Sequence, residues 1–141
     1  MEVLTKSTEE TKKFGIEFGA SLKGGEVIGL IGNLGSGKTT FIQGLAKGIG
    51  SGDRINSPTF IIAREYPNKF GGHLYHVDLY RLETNLKEEL TQLGLFDFMK
   101  NKKNITVVEW AGKARDLLPK STIWIEFSNL GEDKRRIVVN K

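Results

Sequence analysis

The sequence predicts a single α/β domain, and three observations carry that expectation. Two short apolar runs, Val27–Ile31 and Ile105–Glu109, have the near-continuous character of strands covered on both faces. Phe41, Ile42, Leu45, Ala46 and Ile49 fall on one face of a helix. A glycine-rich turn joins the first run to that helix. At 141 residues the chain suits one globular unit and leaves little room for two.

Taken in order, Ser7-Thr8-Glu9-Glu10 has the hydroxyl-to-carboxylate spacing of a capping box. Phe14, Phe18 and Leu22 then recur every fourth residue, which predicts a helix over 8–22, ended by Lys23-Gly24-Gly25. The strand at Val27–Ile31 follows. After the glycine-rich turn comes the amphipathic helix, with Gly50 as its C-terminal stop. Gly44 and Gly48 weaken that helix intrinsically, and the expected reason is close packing against a sheet. Residues 60–66 and 73–80 are β-prone on either side of Pro67-Asn68-Lys69-Phe70-Gly71-Gly72, the pattern of an antiparallel hairpin. Residues 84–100 read as two short helices broken near Gly94, with Asn85 and Glu88 as a start signal. The second buried strand is next, and residues 122–128 and 135–139 form a C-terminal hairpin around 129–133. No repeat, low-complexity tract or linker interrupts the series.

Composition removes several classes of function. An apolar fraction of 38% and a charged fraction of 27% are ordinary for a folded soluble chain. No apolar run is long enough to span a bilayer, and Met1 to Lys6 lacks the basic start and apolar core of a signal peptide. With no cysteine there is neither disulfide nor thiolate metal site, which fits the cytoplasm. The net charge of +4 is modest, and the clusters Lys100-Asn101-Lys102-Lys103 and Lys134-Arg135-Arg136 read as solvated turns ahead of nucleic-acid contacts.

The chemistry concentrates in Gly32-Asn33-Leu34-Gly35-Ser36-Gly37-Lys38-Thr39, which fits the phosphate-binding pattern G-x-x-x-x-G-K-S/T. Gly32, Gly35 and Gly37 allow backbone conformations in which successive N–H groups curl around an anion. The helix starting at about Lys38 points its positive end at the same phosphates. Lys38 is expected on the β- and γ-phosphates, the Thr39 hydroxyl on magnesium, and Thr40 near the α-phosphate. A nucleoside triphosphate with magnesium is the ligand this implies, with ATP hydrolysis as the activity.

Magnesium takes few protein ligands, so one acid at the end of a buried strand is expected to complete its site. Two qualify. Glu109 ends the run Ile105–Glu109, and Asp78 interrupts the strand-like Tyr75-His76-Val77-Asp78-Leu79-Tyr80-Arg81, where an acid is costly to bury unless paired. Glu109 is assigned to magnesium, and Asp78 to the attacking water or to an outer magnesium role; the two are exchangeable at this stage. A structural salt bridge is the competing reading for each. His76 reads as a hydrogen-bonded structural histidine ahead of a catalytic base. Arg81 has Asp78, Glu83 or a partner surface as candidates. Trp124 reads as structural.

Four motifs in order resemble the bacterial TsaE (YjeE) family: the loop through Thr40, then Ser57-Pro58-Thr59-Phe60, His76-Val77-Asp78-Leu79-Tyr80-Arg81-Leu82 and Val108-Glu109-Trp110. Length and spacing agree over nearly the whole chain, with Asn33 standing where the family often has Asp. The resemblance implies a P-loop NTPase fold, a three-layer domain whose sheet is parallel at its centre with antiparallel additions. It also implies the ATPase component of tRNA threonylcarbamoyladenosine (t6A) synthesis, a monomer by itself, acting with TsaB and TsaD on tRNAs reading codons that begin with adenine. TsaD would carry out the transfer, tRNA contact by this chain would be indirect, and its ATP cycle would drive or reset the complex. Thr59 then suits a switch reaching the γ-phosphate or magnesium, and Thr8 an adenine contact. Trp110 suits a position near the nucleotide, a partner surface or the core.

Two other functions compete with this one. A small-molecule kinase needs an acceptor pocket and usually an arginine-bearing lid, and no insertion here is long enough for one. A tRNA-binding module would interleave basic and aromatic residues for base stacking, which the two basic clusters do not. No residue is an obvious arginine finger in cis, so hydrolysis is expected to be slow until a partner completes the site.

Overall fold

The computed structural model describes residues 1–33, 36–52 and 63–140. Among these residues seven strands form one sheet: β1 (Glu2–Thr5), β2 (Val27–Ile31), β3 (Ala63–Pro67), β4 (His73–Asp78), β5 (Ile105–Glu109), β6 (Ile123–Gly131) and β7 (Lys134–Asn140). Their order is β1-β7-β6-β2-β5-β4-β3. The four central strands, β6, β2, β5 and β4, pair in parallel. β7, β1 and β3 add antiparallel at the two sides. The expected parallel centre with antiparallel additions is therefore present.

Helices α1 (Thr8–Ser21) and α2 (Lys38–Gly48) cover one face of the sheet. The other face carries α3 (Leu86–Gln92), α4 (Leu95–Lys100) and a 3-10 segment, Ala111–Leu117. β2 and β5 lie between these two layers, which is why their residues are apolar without alternation. No helix among the described residues is long and apolar enough to cross a membrane.

Local chemistry sets the element ends. Ser7 caps α1 through its Oγ, which accepts from the Glu10 N–H at 3.1 Å. The Glu10 carboxylate reaches back to the Lys6 N–H, one residue before the usual capping-box partner. Gly50, at φ 78°, closes α2: its N–H bonds to the Lys47 carbonyl and the Ser51 N–H to the Ala46 carbonyl, the paired bonds of a Schellman stop. Gly94, at φ 73°, separates α3 from α4. Asn85 precedes α3 in a left-handed conformation, but its side chain makes no cap hydrogen bond.

The explanation expected for Gly44 and Gly48 is corrected by the packing. They meet α1, not the sheet. A Cβ on Gly44 would lie 2.2 Å from the Lys12 carbonyl oxygen, and one on Gly48 2.4 Å from that of Ile16. Gly15 and Gly19 of α1 answer them, with the Phe41 and Leu45 carbonyls at 2.4 Å. The two helices touch backbone to backbone, and the rings of Phe14, Phe18, Phe41 and Phe127 fill the space beside the crossing. The C-terminal turn is also tighter than expected. β6 runs on to Gly131 through a bulge at 129–131, leaving only residues 132–133 between the strands. β1 and the 3-10 segment had no counterpart among the expected elements.

Candidate nucleotide site

β2 delivers the glycine-rich segment at its C-terminal end, and α2 carries it away. Gly32 has φ 152°, and a Cβ there would sit 2.8 Å from the Phe127 carbonyl oxygen and 2.9 Å from Ser36 Oγ. Gly37 precedes α2 at φ 97°, with the stem of Arg135 lying 3.3 Å from where a Cβ would stand. Both positions require glycine. Because the residue before α2 is glycine, no side chain caps the first N–H groups of this eleven-residue helix. Ser36 Oγ is buried and has no hydrogen-bond partner among the described residues. An uncapped helix start beside an unpartnered buried hydroxyl suits an anion. Leu34 and Gly35 lie outside the described residues, as does Thr59 with its Ser57-Pro58 switch.

Lys38 opens α2 and is buried. Its Nζ donates to the Gly32 carbonyl oxygen and stands 4.2 Å above the Trp110 ring. Burial lowers its pKa, while the charges of Glu109 and Asp78 act the other way. Thr39 is exposed beside it, and Asn33 is exposed as well.

The two acids end adjacent parallel strands and are register partners, Asp78 on β4 and Glu109 on β5. Strand alternation gives them a common direction. Leu74, His76 and Asp78 share one face of β4, and Ile105, Val107 and Glu109 share one face of β5. Their apolar members belong to the core beneath α1 and α2. The acids therefore face the side on which α2 begins, within electrostatic range of Lys38. Asp78 Oδ1 accepts from the Tyr80 N–H at 2.9 Å. Burial raises the Asp78 pKa, Glu109 adds to the rise, and the Tyr80 bond, His76 and Lys38 oppose it. Glu109 Oε2 pairs with His76 Nε2 at 2.7 Å. Its other oxygen takes no hydrogen bond from a described residue. Thr39, Glu109 and Asp78 thus offer hard oxygen donors, few in number, which suits magnesium with its retained waters. His76 is hydrogen-bonded, as its sequence reading has it.

Trp110 has the left-handed backbone conformation, φ 59°, unusual for a bulky residue. Its ring centroid lies 5.0 Å from that of Tyr80, which is 43% exposed. Half-buried between Lys38 and Tyr80, Trp110 combines a site position with a surface one. Trp124 fills the space beside Gly29 and stacks under Arg115, in keeping with a structural role.

Two contributors were not singled out from sequence. Lys113 Nζ donates to the carbonyl oxygens of Leu79, Tyr80 and Leu82 at 3.2, 2.9 and 3.1 Å, tying the turn after Asp78 to the segment after Glu109. Its partners are main-chain atoms, so no residue pattern marks it. Arg135 and Asp133 from the last hairpin line a small cleft with Thr8, Thr11, Gly37 and Thr40. This brings Thr8 beside Gly37 and Thr40. The only signal available for Arg135 was its place in a basic cluster, which reads as solvated.

With this geometry in view, the similarities to known proteins are consistent. A family model described as "Threonylcarbamoyl adenosine biosynthesis protein TsaE" matches residues 5–137. A Bacillus subtilis (strain 168) protein named tRNA threonylcarbamoyladenosine biosynthesis protein TsaE is 40% identical, over 94% of this chain and 80% of its own length. Its namesake in Treponema pallidum is 33% identical over 99% of both chains. That in Aquifex aeolicus is 36% identical over 96% of this chain and 92% of its own. The crystal structure of Bacillus subtilis YdiB superposes with a TM-score of 0.76 at 34% identity, covering 97% of this chain and 82% of the other.

Proposed function

The chain belongs to the TsaE family, and from that premise we propose that it is a magnesium-dependent ATPase of P-loop fold serving t6A modification of tRNA. It acts in the cytoplasm with TsaB and TsaD, on tRNAs reading codons that begin with adenine. The transfer to adenosine belongs to TsaD, and ATP hydrolysis here drives or resets the complex.

One observation carries the reading: Lys38 stands at the uncapped start of α2, within electrostatic range of two carboxylates that end neighbouring parallel strands. The backbone N–H groups around Gly37 hold the phosphates, and Lys38 leaves Gly32 and Trp110 to neutralise them. Thr39 and Glu109 hold magnesium, which when bound neutralises phosphate charge during hydrolysis. Asp78 accepts a hydrogen bond from the attacking water and orients it; the raised pKa brings its carboxylate closer to a proton-accepting role. Thr8 and Trp110 flank the nucleotide. The sequence offers no obvious arginine finger in cis, so turnover is slow until a partner completes the site.

Calorimetry with ATP, with and without magnesium, tests the site. Lys38→Ala loses ATP affinity, and unchanged binding would sink the assignment. Reconstituted tRNA modification under multiple turnover tests the role: equal yield with and without this protein would refute it while sparing nucleotide binding.

A further inference from the structure

The buried pair His76–Glu109 does more than fill the core. His76 is 1% exposed and Glu109 4%, and their 2.7 Å contact is the only hydrogen bond either side chain makes among the described residues. We propose that His76 is a positioning residue that fixes the Glu109 carboxylate for the metal; this rests on the reading of Glu109 as the magnesium ligand.

The hydrogen-bond inventory fixes the direction. An ionised carboxylate only accepts, so the imidazole proton facing it sits on Nε2. The other ring nitrogen, Nδ1, is buried without a partner among the described residues, so the bond to Glu109 is the ring's one polar anchor there. An N–H donor at Nε2 occupies one carboxylate oxygen and sets the plane of the group.

The backbone makes the arrangement rigid. His76 is register partner to Val107 across β4 and β5, two residues before the register pair Asp78–Glu109. The imidazole thus reaches forward along the strand to the carboxylate one pleat ahead. It leaves Glu109 Oε1 without a hydrogen bond from a described residue, on the sheet face that Asp78 shares. Outer partners of metal ligands typically contribute 10–100-fold to metal affinity or activity.

The test separates positioning from mere packing through three variants. His76→Gln keeps an N–H near the Nε2 position, His76→Asn keeps the same chemistry but falls short, and His76→Leu removes it. The readouts are ADP affinity without metal and the magnesium affinity of the ADP-bound protein. Metal-free affinity is expected to stay within about twofold in all three, while magnesium affinity falls about 10–100-fold in His76→Asn and His76→Leu. His76→Gln is expected to recover most of that loss. Equal losses in the Gln and Asn variants, or an unchanged magnesium affinity in both, would overturn the proposal. Should the variants fail to fold, imidazole 15N spectra of the unaltered protein decide. They are expected to report a proton on Nε2 and to shift when magnesium joins ADP, but not with ADP alone; a ring with no proton on Nε2, or one indifferent to magnesium, would overturn it. If magnesium adds nothing to ADP binding by the unaltered protein, the reading of Glu109 as the magnesium ligand falls instead, separately from the role of His76.

Discussion

Burial raises the Asp78 pKa, so its ionised form is a cost that the fold tolerates at neutral pH. The sign of the linkage follows. Below the ordinary carboxylate value of 3.8 both folded and unfolded chains hold the proton. As pH rises through 3.8 the unfolded chain ionises first, so stability falls until pH passes the raised folded value. Asp78→Asn keeps an acceptor for the Tyr80 N–H and removes the charge. In thermal melts of the nucleotide-free protein it is expected to be more stable than the parent at neutral pH, with the gap closing in acid. A gap that widened in acid would mean that the carboxylate is stabilising. The same turn gives a second expectation. Lys113 holds three of its carbonyls, so Lys113→Met should loosen the turn by about 1 kcal/mol. Amide exchange at Tyr80 should quicken roughly fivefold by that constant, with little change in β2.

At the scale of elements, the α1–α2 crossing is the most sharply constrained packing in the molecule. Gly44→Ala would drive a methyl into the Lys12 carbonyl, an atom that moves only if the helix moves. Urea unfolding should show a loss of about 1–3 kcal/mol or more. Gly112→Ala, with open space around it and an ordinary φ, is the control and should be neutral or slightly stabilising. That crossing also marks where the sequence stopped being legible. Phe14, Phe18 and Leu22 carry their own period, so α1 was readable. The glycines were readable as weak points of a helix, but their partner was not, because a missing side chain names no neighbour. β1 was hidden for a related reason. Its four residues leave Leu4 exposed, and it is a strand only by pairing with β7 at the far end of the chain. Glu2 and Arg136 close that pairing at 2.7 Å.

The whole molecule gathers its site from distant parts of the chain. The loop was legible because its chemistry is local: strand, glycines, lysine, helix. Asp78 and Glu109 were legible as acids out of place in apolar runs, but only the sheet makes them register partners. Arg135 reaches Gly37 because β7 folds back along β6, and no local pattern could announce that. A ligand bridging such a site holds together α1, α2, β4, β5 and the last hairpin at once. Binding should therefore stabilise the whole cooperative unit and not the loop alone. At ADP one hundred times its dissociation constant, the expected gain is about 2.7 kcal/mol. Core amides of β2 and β5 that exchange only by global unfolding should then slow about a hundredfold. Magnesium, added at fixed ADP, should extend the gain, and Glu109→Gln should erase that extension while leaving the metal-free part. Protection confined to the start of α2, with β5 unchanged, would mean that the nucleotide orders one element without fastening the sheet. The strand ends would then be a frame around the site rather than part of its binding energy.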